Sequence, residues 1–249
     1  MARFRLILTL ILGFVILPAT LAGTLYFLEQ NGFFNIDNIE VIVDNSVDQS
    51  NYLQPLVKNL DTELESLRGI SLWRVQLSPL NSRLAQLSWV EDVSISRQWP
   101  AKLRVNVRAK EVNLLLMTRN GRFVPIVKTG ESLPAVDLKQ LPDVAVLRGE
   151  NFEAHSDLRK KAVQLLNEIP NAGTFSKKTI SEIHFDERDG FWMTLVKDGI
   201  RVKMGQDQIS TKAARVSQVL DYIESRKLDA RVIDANLSKK VLVRLRKEP

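Results

Sequence analysis

Residues Leu87–Val107 read LSWVEDVSISRQWPAKLRVNV, two alternating runs on either side of Trp99-Pro100. Val93 and Ile95 alternate with Ser94 and Ser96, and Leu103, Val105 and Val107 alternate with Lys102, Arg104, Asn106 and Arg108. A period of two places successive side chains on opposite faces of a strand, so this stretch predicts two strands, each buried on one face. Pro100-Ala101 supplies the turn. The expected packing face is Val93, Ile95, Leu103, Val105 and Val107, and the basic residues beside it read as a solvated sheet face.

Upstream, Ile36, Ile39, Val41 and Val43 suggest an earlier strand, ended by Asp44-Asn45-Ser46. Tyr52, Leu53, Leu56, Val57 and Leu60 recur at helical spacing, as do Leu77, Leu80, Leu84 and Leu87. Ser78 and Pro79 stand where a cap and a first-turn proline would start the second helix. The predicted order is strand, helix, helix, strand, strand.

The N-terminus is strongly apolar. No charged residue occurs from Leu6 to Leu28. At about 1.5 Å per residue such a helix crosses a hydrocarbon core of about 30 Å with some tilt. Arg3 and Arg5 precede it, while Glu29, Asp37, Glu40 and Asp44 follow, so the N-terminus is expected on the cytoplasmic side and the long C-terminal part outside. Thr20-Leu21-Ala22-Gly23 keeps open the alternative of a cleaved signal peptide. On either reading the bulk of the chain works in an extracytoplasmic space, and nucleic acid is not an expected partner.

Composition removes most chemistry. Of 249 residues 45% are hydrophobic, and 35 Lys and Arg against 29 Asp and Glu give a net charge of +6, a bias compatible with several partner classes. Cysteine is absent, which excludes disulfides, thiolate metal sites and a Cys nucleophile. The two histidines, His155 and His184, have no second His at a ligand spacing. Asp186-Glu187-Arg188-Asp189-Gly190 lacks the spacing of a calcium loop and reads as a hairpin turn. Neither G-x-S-x-G nor S-x-x-K occurs, nor a glycine-rich phosphate loop. No catalytic, metal or cofactor residue is expected, and the chain reads as a binding protein without turnover.

Beyond the opening ribbon, Asn120-Gly121 predicts a tight hairpin between Leu114–Met117 and Phe123–Val127. Leu158, Ala162, Leu165, Leu166 and Ile169 mark a helix closed by Pro170 and Gly173. Strands follow at 180–185, 191–196 and 200–204, then a helix on Ile209, Ala213, Val216, Leu220 and Ile223, then closing strands at 232–234 and 241–245. A final strand has backbone groups unpaired along one side and can accept a strand from another chain. Val241, Val243 and Leu245 are expected on one face, with Leu242, Arg244 and Arg246 on the other. Lys212 and Arg215, at i and i+3, are expected to meet acidic partner residues.

The pattern W-V-x-x-V-x-I-x-R-x-W-P-x-x-L-x-V-x-V from Trp89 to Val107 resembles the second half of a POTRA domain of the FtsQ/DivIB family of bacterial division proteins. Ile39-Glu40-Val41, Gly69-Ile70-Ser71-Leu72, and Leu141-Pro142 with Leu147-Arg148-Gly149 fit the same family in order, and Met204-Gly205 stands where that family usually has Leu-Gly. The resemblance implies an α+β chain: a cytoplasmic tail (1–5), a transmembrane helix (6–28), a β-α-α-β-β POTRA domain (34–110) and a mixed or antiparallel β domain with flanking helices (111–249). It also implies a single-pass inner-membrane scaffold of the divisome at the division site, with periplasmic domains that link early division proteins to septal peptidoglycan synthesis. The implied partners are the FtsB and FtsL ectodomains and other divisome membrane proteins. Carried over by position, FtsB capture falls on Ile233, Asp234, Asn236, Leu237, Ser238, Val241, Leu242 and Val243; Asn236 and Leu237 stand where many relatives carry Arg and Tyr. The alternative is a POTRA-type envelope chaperone or secretion module, which would be expected to continue into a membrane barrel.

Overall fold

In the computed structural model, the backbone is described for residues 2–44, 50–237 and 240–246, and the side chains for 13–44, 52–237 and 240–246. Two compact units divide the chain, residues 1–44 with 55–109, and 45–54 with 110–249.

The first unit opens with α1, Ala2–Gln30, one helix of 29 residues with Pro18 inside it. Its described apolar side chains are exposed, among them Phe14, Leu17, Leu21 and Phe27. Among the described residues no helix is long and apolar enough to cross a membrane. Part of the expected span, residues 6–12, lies outside the described side chains. After α1 come β1 (Asn38–Asp44), α2 (Ser50–Leu64), α3 (Leu77–Ala85), β2 (Val90–Gln98) and β3 (Lys102–Ala109). The sheet order is β1-β3-β2, with β1 parallel and β2 antiparallel to β3. This is the expected β-α-α-β-β arrangement. Parallel pairing sets Asn38 opposite Lys102, so the start of β1 lies beside the β2–β3 turn, where the Trp99-Pro100 peptide is cis.

Val93, Leu103, Val105 and Val107 are buried as the alternation predicts, whereas Ile95 is only half-buried. Burial of a side chain of this size contributes about 1.5–3 kcal/mol. The opposite face is charged and internally paired: Arg104 donates two hydrogen bonds to Glu40 and Arg108 one to Asp92. Helix α3 begins at Leu77 behind Gln76, which makes no side-chain capping bond, so Ser78 lies within the first turn rather than at the cap. The expected break at 45–46 lies outside the described residues.

The second unit holds an eight-stranded mixed sheet. Its strands are β4 (Val112–Met117), β5 (Phe123–Val127), β6 (Val146–Arg148), β7 (Ile180–Asp186), β8 (Gly190–Leu195), β9 (Arg201–Gly205), β10 (Ala230–Asp234) and β11 (Leu242–Leu245). Their order is β11-β10-β9-β8-β7-β6-β4-β5. Between them lie α4 (Glu150–Ala154), α5 (Ser156–Asn167) and α6 (Ile209–Ser225). The apolar stripes of α5 and α6 join Leu147, Ile183, Met193, Val202 and Ile233 in one core. On the other face Arg148, His184, Trp192 and Lys203 stand in register across β6–β9. Glu182 there contacts both Arg148 and His184, and the guanidinium of Arg201 lies over the Trp192 ring. His184 is thus a half-buried member of a polar sheet face. The Asp186–Gly190 segment is a hairpin turn in which the Asp186 carboxylate accepts the backbone N–H groups of Arg188 and Asp189. Those two hydrogen bonds hold its carboxyl below the ordinary value.

Candidate partner-binding edge

Strand β11 is the last in the sheet, antiparallel to β10, with Leu242 opposite Asp234 and Val243 opposite Ile233. Among the described residues its outer side is unpaired. Val241 and Val243 pack against the core, while Leu242 is 45% and Leu245 50% exposed. Leu245 shares the inward face by alternation but lies exposed at the strand's far end. Ile233 is wholly buried, so it acts through backbone pairing and packing.

The connection between β10 and β11 is held from beneath. The Asp234 carboxylate accepts the backbone N–H of Asn236 at 3.0 Å, and Ala235 extends the ladder by donating to the Lys203 carbonyl. The Asn236 side chain donates to the Asp189 carbonyl and accepts from Lys212. It rests on Gly205, whose backbone is left-handed at φ +74°; a β-carbon there would collide with Asn236 Oδ1. Leu237 is half-buried, and Ser238 lies outside the described residues.

Lys212 departs from its expected surface position. It is only 4% exposed, and its ammonium donates to the Met204 carbonyl (2.9 Å), the Asp207 carboxylate (2.6 Å) and Asn236 Oδ1 (3.2 Å). A buried ammonium requires such partners, and here they come from the end of β9, the turn before α6 and the β10–β11 connection. The hydrogen bond from Lys212 and its charge hold the exposed Asp207 carboxyl below its usual value. Arg215 is half-buried and engaged within the chain. The structure therefore joins Lys212, Asp234 and Asn236 in one polar network at the end of β10, and leaves Leu242 and Arg244 exposed along β11. Gly205, Asp207 and Asp189 belong to the same support; the sequence marked Met204-Gly205 and, as part of a hairpin turn, Asp189, but gave no signal for Asp207.

At its far end β11 is tied again. Arg246 donates its backbone N–H to the Asp229 carbonyl and its guanidinium to the Asp198 carbonyl, with the Asp229 carboxylate at 3.6 Å. Asp198 and Asp229 border a groove of about 670 Å³ floored by Leu195, Ile200 and Ile223, and Lys197 pairs with Glu224 on its rim. Among the described residues no group of three His, Asp or Glu side chains is placed to hold a metal.

The sequence matches the profile of the FtsQ-type POTRA domain over residues 57–108 and that of the FtsQ/DivIB C-terminal region over residues 115–236. The chain belongs to the FtsQ/DivIB family. Cell division protein FtsQ of Syntrophotalea carbinolica is 22% identical over 241 residues, covering 94% of this chain and 81% of that protein. FtsQ of a Geobacter species is 24% identical over 77% of this chain and 73% of its own length. Cell division protein DivIB of Solibacillus silvestris is 27% identical over 62% of this chain and 52% of its own. The family is one of non-enzymatic cell division proteins, which supports a divisome role through contacts with other division proteins. The C-terminal match ends at Asn236, so β11 lies beyond it.

Proposed function

We propose that this chain is a single-pass scaffold of the divisome that captures the C-terminal ectodomain segment of FtsB by strand addition to β11, and FtsL through FtsB. The observation that carries this reading is the unpaired outer side of β11, one of two edge strands in a sheet whose other edge, β5, is bordered by the bridges Phe123–Val136 and Ile126–Ser132 and whose core face is covered by α5 and α6. An extended segment laid there gains main-chain hydrogen bonds from the strand and an apolar contact at Leu242. The partner-contact set is Asn236, Leu237, Ser238, Val241, Leu242 and Val243, with Ile233 and Asp234 supplying the strand behind it and Lys212 positioning the connection. Arg215, half-buried on α6, stays in the proposed contact set, where an acidic partner side chain would compete with the interaction it makes within the chain.

On this reading Leu6–Leu28 is the membrane anchor, residues 1–5 are cytoplasmic, and residues 34–110 and 111–249 are the two periplasmic domains. The uncharged run and the exposed apolar side chains of α1 support the anchor. The chain itself performs no chemistry and takes no cofactor.

A pull-down with the FtsB ectodomain tests the edge. Proline is placed at Leu242 and, separately, at Val243, because adjacent strand residues aim their N–H groups to opposite sides. The outward-facing position is identified as the one whose variant keeps the wild-type unfolding midpoint. Loss of FtsB binding in that folded variant is the expected result; wild-type binding by it overturns strand addition.

A further inference from the structure

We propose that the aromatic cluster at the α1 end of the first unit is a seat for the bilayer surface, with Phe33, Trp73 and Trp99 lying in the headgroup and carbonyl zone of the membrane. The inference rests on the reading of α1 as a membrane span. Phe33, Trp73 and Trp99 are 51%, 59% and 50% exposed, an unusual concentration of large rings on the surface of a small unit. They surround the buried Phe34: ring centroids lie 5.2 Å from Phe34 for Phe33, 6.1 Å for Trp73 and 6.0 Å for Trp99, and the two indoles pack with centroids 4.3 Å apart at a 44° tilt.

Three chain segments are knitted together to present these rings. Leu72 donates to the Phe34 carbonyl, Gly69 to Ile36, Ile36 to Ile70, and Asp37 to Ala101. Arg97 reaches across from β2 and donates to the carbonyls of Leu72 (2.8 Å) and Val75 (2.7 Å), which clamps the loop that carries Trp73. The Arg97-x-Trp99-Pro100 sequence thus has one physical meaning: its arginine fixes one indole while its tryptophan packs on it.

The occupant follows from continuity. Helix α1 ends at Gln30, and its last turn is hydrogen-bonded directly into the segment bearing Phe33, through Asn31 to Phe27 and Phe33 to Leu28. Tyr26 and Phe27, both about two-thirds exposed, extend the same aromatic zone into the helix. The parallel β1–β3 pairing brings the Trp99 turn to this end of the sheet. The Arg74 side chain, beside Trp73, is 76% exposed and among the described residues its charge meets Glu29 at 3.8 Å, which leaves it open to a lipid phosphate. Amphipathic indoles gain most where an apolar body and a wet N–H are both accommodated, and that place is the membrane interface.

The full chain, purified and reconstituted alone in phosphatidylglycerol-containing vesicles, provides the test. With Trp89→Phe and Trp192→Phe, emission comes from Trp73 and Trp99; with Trp73→Phe and Trp99→Phe it comes from the other two, of which Trp89 is buried at the opposite end of the sheet. Lipids brominated near the carbonyl should quench the first variant severalfold more than the second. A headgroup nitroxide applied to the unsubstituted chain gives a second reading that requires no substitution. Alkaline carbonate extraction reads the span separately. A chain that resists extraction but shows equal quenching in both variants overturns the seat and leaves the anchor standing. A chain that is extracted overturns the anchor and the seat with it. Because no other protein is present, a surface meant for a partner's membrane segment gives the unquenched result.

Discussion

Lys212 shows how a charge can be misread when only its neighbours in sequence are considered. It is three residues after Ile209 and four before Val216, on the buried stripe of α6, so its position on the helix marked it as interior; its residue type marked it as exposed. The acceptors that reconcile the two, Met204, Asp207 and Asn236, come together only in the fold. Lys212→Met should orphan the Met204 carbonyl and Asn236 and cost about 1–3 kcal/mol in urea unfolding. It should also weaken FtsB binding indirectly, by releasing the β10–β11 connection. Asp207 sets a pH signature. Its folded carboxyl lies below the unfolded value near 3.8, so its contribution is present above that value and is lost as pH falls through the folded one. The stability gap between wild type and Asp207→Asn should therefore hold above the unfolded value near 3.8 and narrow as pH falls below it. Gly205→Ala should cost at least about 1–2 kcal/mol from its left-handed backbone alone, before the collision with Asn236.

At the scale of elements, alternation located the strands of the first unit because their two faces differ in polarity, and the helix stripes of α5 and α6 were legible for the same reason. Pairing partners were less so. Strand β6 has only three residues yet lies centrally, parallel to both β4 and β7, and nothing in Val146–Arg148 specifies those neighbours. Its buried Leu147 makes the point testable: Leu147→Ala should destabilise the second unit by about 2–5 kcal/mol if the strand is as central as its pairing implies. Arg97 was visible as part of a family pattern, but its two bonds to the Leu72 and Val75 carbonyls were not. Arg97→Ala should cost about 1.5–3 kcal/mol per charge-assisted hydrogen bond lost, read as a lower urea midpoint for the first unit.

For the whole molecule, the family resemblance carried more than composition did, because a non-enzymatic family leaves no catalytic constellation to read. A fluorescent fusion should concentrate at the septum of dividing cells, and uniform envelope labelling would contradict the scaffold reading. The short β11 is clipped at its far end, by Arg246 on the Asp229 and Asp198 side, while the strand it pairs with, β10, runs out onto Asn236 and Lys212. A four-residue ladder peeled from one end would open one bond at a time. The clip at Arg246 closes the far end to peeling, so a partner held along β11 and pulled from that side meets a strand whose bonds must yield together.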